Sequence, residues 1–366
     1  MTSSIIKASA EEGFDLHDGD VVGVTEAVVA RTQGNYATCD QIAADVRAKL
    51  GDGVIGLVFP ILSRNRFAIM LRAFARAAAK LVVQLSYPSD EVGNALLTWD
   101  QVDAAGVDPY RDSFTLEQFR AKFGNDTVHK VTGVDYIEYY RTLGENVEVV
   151  FSNDPRFILN YTKNVINCDI HTRRRTERIL KEAGANVCAM DELMTAPVGG
   201  SGFNPKYGLL GSNKATEEKV KLFPRDADVF VESLSRALYE ATGKHIEVMV
   251  YGDGGFKDPV GGIWELADPV VSPAYTEGLE GTPNELKMKY FADNEFASLS
   301  GEALAEAMRS RIREKDKSLV GNMQSQGTTP RRLTDLLGSL CDLTSGSGDK
   351  GTPIIYIQGY FDNYTK

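Results

Sequence analysis

Between residues 63 and 199 short apolar runs alternate with amphipathic ones, and this alternation limits the fold more than any other feature of the chain. Ser63-Arg64-Asn65-Arg66 reads as a cap on a helix running to about Ala79. The runs Leu81–Leu85, Val147–Phe151, Asn164–Cys168 and Val187–Met190 have strand length, and helical segments such as Arg174–Ala183 separate them. Repeated strand–loop–helix units predict an α/β unit with a doubly wound parallel sheet. The loops opening at Ser86, Ser152 and Asp169 should then share one edge, where ligands collect in such folds. No Gly-x-Gly-x-x-Gly follows a first strand here, so the unit carries no dinucleotide fingerprint. His171 with Arg173, Arg174 and Arg175 reads either as an anion site or as a solvated basic helix start. Thr132–Tyr140 is either a pocket wall or a helix start whose Ile137 and Tyr140 pack inward.

A second organising stretch lies near residue 250. Val231, Leu234, Leu238 and Ala241 recur at helical spacing, and Gly243 stops the helix. Ile246, Val248 and Val250 then alternate with Glu247, Met249 and Tyr251 at strand period. A glycine-rich turn follows, carrying Asp253 and Asp258. These carboxylates suit a hard divalent cation, while Asp-Gly-Gly also serves as a plain tight turn. Asp18-Gly19-Asp20 turns into a strand, Val21–Thr25, followed by Glu26 and Arg31, which either touch nucleotide or metal or form a surface ion pair. The segment 207–214 brings Gly211, Ser212, Asn213 and Lys214 together in a pattern suited to cradling phosphate, without Walker spacing. Gly346 to Gly351 is a literal Gly-x-Gly-x-x-Gly, but it precedes a strand, Ile354–Ile357, instead of following one. It reads as a phosphate nest built from Gly346, Gly348 and Lys350, with Asp349 near a metal.

Composition narrows the partners. The 366 residues suggest two or three domains, and 43% hydrophobic content supplies ample core. A net charge of −11 argues against nonspecific binding to nucleic acid or to an anionic membrane surface, and leaves an acidic protein that handles phosphate in need of metal ions. Cys39, Cys168, Cys188 and Cys341 are widely spaced and form no zinc pattern. That spacing, with no apolar signal core and no run long enough to span a bilayer, leads to the expectation of a cytoplasmic protein with no membrane partner.

Three of these stretches together resemble the coenzyme F-420 γ-glutamyl ligase family. Asp18-Gly19-Asp20-Val21-Val22, running to Arg31 and Gly34, is similar to the family's first nucleotide-binding segment, with Arg31 where the family has lysine. Gly208-Leu209-Leu210-Gly211-Ser212-Asn213 resembles its Gly-Ile-Asp-Ala-Ser-Asn segment; Asn213 matches, while Leu210 stands where the family has a metal-binding aspartate. Asp253 falls on the second metal aspartate, and Gly348-Asp349 to Thr352-Pro353 with Gln358-Gly359 matches the closing glycine-rich stretch. The resemblance covers residues 1–62 and 200–366, which implies a γ-glutamyl-ligase-like α+β core, with 63–199 inserted as a possible acceptor domain. It implies a cytoplasmic, homodimeric ligase that uses GTP (or ATP) and Mg²⁺ or Mn²⁺ to join L-glutamate to a small carboxylate acceptor through an acyl phosphate. Asp253, Arg31 and Lys214 would be catalytic. Glu26, Gly211, Ser212, Asn213, Gly346, Gly348 and Lys350 would bind nucleotide, and Asp253, Asp258 and Asp349 would bind metal. The alternative is a noncatalytic nucleotide- or metabolite-binding protein on the same scaffold.

Overall fold

Five apolar runs and one short edge strand pair into a single six-stranded sheet. Its order is Phe114–Thr115, Val147–Phe151, Lys80–Leu85, Val54–Val58, Asn164–Asn167, Asn186–Ala189. A computed structural model describes residues 1–252, 256–257, 264–265, 272–316, 318–319, 321–325, 332–345 and 352–362. The pairings are parallel except at the edge, where Phe114–Thr115 runs antiparallel to Val147–Phe151. The chain starts the parallel set in the middle, at Val54–Val58. It builds outward through Lys80–Leu85 to Val147–Phe151, then crosses to the other side for Asn164–Asn167 and Asn186–Ala189. This is the doubly wound α/β arrangement that the alternation predicts, with its switch point between Val54–Val58 and Asn164–Asn167.

The periodicity of the strands explains their burial. Leu81, Val83 and Leu85 join one apolar cluster, with Phe67, Phe74 and Ile42, while Val82 joins another, with Val150, Val165, Ile158 and Leu180. Both faces of the sheet are therefore covered, as parallel sheets require. Helix Cys39–Leu50 starts on a Thr38/Gln41 capping box and ends at Gly51. Helix Phe67–Ala77 buries nine of its eleven residues, from Phe67 to Ala77, so it is apolar nearly all round. Phe119 stacks on Phe151 with ring centroids 3.8 Å apart. Tyr136–Arg141 is the expected helix, with Ile137 and Tyr140 fully buried.

The chain divides into two compact units. One consists of Thr25–Asp226 and Gly252–Val270 and holds the six-stranded sheet, together with a three-stranded antiparallel sheet ordered Tyr36–Thr38, Lys219–Lys221, Asn213–Thr216. The first strand of the parallel set, Val54–Val58, thus comes from ahead of residue 63, and the unit extends past residue 199.

The other unit consists of Met1–Val24, Ala227–Tyr251 and Val271–Lys366. Its four-stranded sheet is ordered Ala274–Tyr275, Glu247–Tyr251, Val21–Thr25, Ile354–Ile357. Helix Ala227–Thr242 buries Val231, Leu234 and Leu238, and Gly243 follows it at φ 68°. Ser235 Oγ donates to the Ile246 carbonyl at 2.8 Å, tying the helix to the entry of the next strand. In Glu247–Tyr251 every residue after Glu247 is buried, because the strand lies inside the sheet with neighbours on both sides. Asp20, 1% exposed, accepts from the amides of His17 and Gly359, each at 2.8 Å, and from the Tyr356 hydroxyl. Among the described residues no helix is long and apolar enough to cross a membrane.

Candidate functional site

The three loops expected on one edge of the parallel sheet do meet there, and side chains lock them together. Asp90 accepts from the Leu62 and Asn94 amides (both 2.8 Å), the Val92 amide (3.1 Å) and Asn94 Nδ2 (2.7 Å). Tyr140 donates its hydroxyl to the Ile61 carbonyl at 2.6 Å and accepts from the Ser63 amide at 2.9 Å. Glu91 accepts from the amides of Ile170 and His171 at 2.7 and 2.9 Å, and lies 2.8 Å from His171 Nδ1. Asn153 brackets Tyr87, accepting from its amide and donating to its carbonyl. Loops fixed in this way can hold a ligand without paying much ordering entropy on binding.

At the switch point these loops leave a narrow crevice of about 40 Å³. Its walls are mostly apolar, including Ile61, Met70, Cys168 and Ile170, and Arg66, at the entry to helix Phe67–Ala77, also lines it. Gly211 and Ser212 close the far side. Burial pushes the Cys168 thiol well above its usual range, so it stays protonated and is no nucleophile.

The segment expected to cradle phosphate packs tightly against this crevice. The amides of Gly208, Leu209, Leu210, Ser212 and Lys214 donate to the carbonyls of Asn204, Met190, Tyr207, Leu209 and Asn65. An incoming phosphate would have to compete with those carbonyls. The glycines serve close packing: a Cβ on Gly208 (φ 52°) would lie 2.3 Å from the Leu193 carbonyl oxygen, and one on Gly211 (φ 76°) would lie 2.1 Å from the Phe223 ring. Gly211→Ala should therefore cost roughly 2–4 kcal/mol, combining overlap with left-handed strain. Scanning calorimetry reads this as a lowered Tm, and an unchanged Tm would show that Phe223 gives way freely. Leu210 is 4% exposed and belongs to the apolar core, and Ser212 Oγ lies 3.4 Å from Met70 Sδ.

The other expected site residues are dispersed. Lys214 pairs with Glu217 near the start of strand Asn213–Thr216. Glu26 is buried in an ion pair with Lys221 at 2.9 Å, and Arg31 is exposed in the last turn of helix Glu26–Thr32. The supposed anion cluster is largely neutralised from within. Arg174 and Arg173 reach Asp191 (2.5 and 3.4 Å), Arg174 reaches Glu177 (2.9 Å), and His171 meets Glu91. Asp253, Asp258, Gly346, Gly348, Asp349 and Lys350 lie outside the described residues. Among the described residues no group of three or more His, Cys, Asp or Glu side chains could hold a metal ion.

The four-stranded sheet nevertheless relates the two stretches that carry those residues. The Glu247 amide donates to the Asp20 carbonyl at 2.9 Å, so Glu247–Tyr251 begins beside the beginning of Val21–Thr25. Ile354 pairs with Val24, so the last strand begins beside the other end of Val21–Thr25. The strand that leads to Asp253 therefore ends at the sheet edge where the strand that follows Asp349 starts.

In sequence Arg66 reads only as part of a helix cap, and nothing in the local pattern sets Asp90 or the crevice apart. The signal was available: Arg66 follows the first parallel strand and Asp90 the second, on the edge of a doubly wound sheet where ligands collect. Fold and crevice together define a doubly wound α/β protein with a narrow crevice at its switch point. A model of the F420-0:gamma-glutamyl ligase family matches residues 1–359, which takes in 63–199 as well as both flanks. The chain belongs to this family, and so is a γ-glutamyl ligase that forms a C–N bond between glutamate and an acceptor. No curated protein matches it.

Proposed function

We propose that the chain couples amide-bond formation to hydrolysis of GTP or ATP. An oxygen of the acceptor carboxylate attacks the γ-phosphorus, the bond to the β-phosphate oxygen breaks, and nucleoside diphosphate leaves. The α-amine of L-glutamate, having released a proton, attacks the acyl phosphate carbon; the C–O bond to phosphate breaks and inorganic phosphate departs. Mg²⁺ or Mn²⁺ would neutralise phosphate charge during the first transfer. Asp253, Asp258 and Asp349 supply the hard oxygen donors those ions prefer. The glycine-rich stretch at 346–350 would hold the nucleotide.

The observation that carries this reading is the shared sheet edge where the strand leading to Asp253 ends and the strand following Asp349 begins. Leu210, a buried leucine where the resemblance calls for a metal ligand, leaves the metal to carboxylates elsewhere in the chain. The test is phosphate release from GTP and from ATP with Mn²⁺ or Mg²⁺ and L-glutamate, across a panel of carboxylate acceptors, with mass spectrometry of the products. The expected result is an acceptor heavier by one glutamyl unit and one phosphate released per product. Glutamyl transfer without phosphate release from either nucleotide would overturn the acyl phosphate route.

A further inference from the structure

A groove of about 540 Å³ lies at the carboxyl end of strand Val147–Phe151, between the turn after that strand and helix Arg173–Glu182. It is separate from the switch-point crevice and shares no lining residue with it. Its volume suits a small organic molecule. Asn153, Asp154, Arg156, Arg175, Glu182 and Tyr110 supply its polar and aromatic groups.

The charges lining this groove are not all paired at close range. Asp154 is held by Arg156, whose Nε lies 2.9 Å from one carboxylate oxygen and whose Nη2 lies 2.8 Å from the other. That pairing keeps the Asp154 carboxyl below its usual range, with Arg175 adding at longer range. Glu182 is engaged from its own helix by Arg178 at 3.2 Å. This leaves Arg175. Its three arginine and histidine neighbours in sequence are committed to Asp191, Glu177 and Glu91, but no carboxylate among the described residues lies within 4 Å of Arg175. On a chain of net charge −11, a guanidinium in a groove with no carboxylate in close contact marks a place where an anion gains locally what the whole molecule would repel.

Tyr110 supplies the second component. It is 86% exposed, an unusual position for a ring of its size. Its backbone is nevertheless fixed: its amide donates to Asp108 Oδ1 at 2.9 Å, the preceding Pro109 carbonyl accepts from Asn153 Nδ2 at 3.1 Å, and Tyr87 donates to the Asp112 carbonyl at 2.7 Å. The ring is thus presented at the groove on an anchored loop. Apolar lining from Pro155, Ile179 and Ala183 completes a surface for a flat body.

We propose that this groove is a binding site for a small planar carboxylate, its charge on Arg175 and its ring against Tyr110. The site stands independently of the ligase reading, since it needs neither nucleotide nor metal. The test is ligand-observed NMR titration of the full chain with benzoate, cyclohexanecarboxylate and benzyl alcohol, repeated on Arg175→Gln and Tyr110→Ala. Benzoate should bind saturably. Benzyl alcohol and the Arg175→Gln variant should each weaken binding about tenfold, as loss of a charge-assisted contact does. Cyclohexanecarboxylate and Tyr110→Ala should weaken it roughly three- to tenfold through lost ring stacking. Tyr110 is so exposed that its replacement tests the site even if the arginine variant misfolds. Absence of saturable benzoate binding, or equal affinity in wild type and Tyr110→Ala, would overturn the site. Neither result would touch glutamyl transfer, which the phosphate-release assay reads separately.

Discussion

Lys221→Met should lower the stability of the α/β unit by about 3 kcal/mol, the usual penalty for stranding one member of a buried ion pair. Lys221 and Glu26 approach to 2.9 Å with side chains only 11% and 7% exposed, so neither is solvated well enough to tolerate loss of the other. For a unit of this size that corresponds to a fall in Tm of roughly 6–12 °C by scanning calorimetry. The double variant with Glu26→Gln should recover most of the loss, because no buried charge is then left behind. A single variant melting within about 2 °C of wild type would mean that the pair is solvated in solution. Glu26 is also a nucleotide contact implied by the resemblance, so nucleotide affinity measured on the double variant separates the two roles: unchanged affinity assigns Glu26 to the fold alone.

Asp253→Asn should reduce glutamyl transfer by a factor on the order of 10²–10³ under the proposed role of Asp253 as a metal ligand, since loss of that carboxylate would remove several kcal/mol of charge stabilisation. The substitution conserves volume, so Tm should stay where it is. Steady-state phosphate release with saturating nucleotide and glutamate measures the loss, and Asp258→Asn run alongside shows whether the two carboxylates act together. Turnover that survives Asp253→Asn would remove that residue from the site and move attention to Asp349.

The elements were legible wherever local chemistry determines them. Val147–Phe151 and Ile354–Ile357 form as strands over the expected residues, helix Ala227–Thr242 ends at the expected Gly243, and Ile137 and Tyr140 pack inward as their spacing requires. The winding of the sheet was legible too, because strand–helix alternation leaves few ways to cover both faces. Charge pairing was much less so. The arginines after His171 look like an anion site in sequence, yet Asp191, 17 residues beyond Arg174, and Glu91, 80 residues before His171, absorb most of that charge. Gly211 looks like part of a phosphate loop, and the reason it must be glycine is the ring of Phe223.

By itself the sequence determined the elements, their order, the α/β class, the acidic surface and the resemblance that the family match bears out, because caps, periodicity and motif spacing are properties of neighbouring residues. Tertiary structure alone decided which strand opens the sheet, where the switch-point crevice falls, and which cations are already spent. Those depend on contacts such as Glu26 with Lys221 and Asp90 with Leu62, between residues far apart in the chain, and a pattern of neighbours carries no record of such distances.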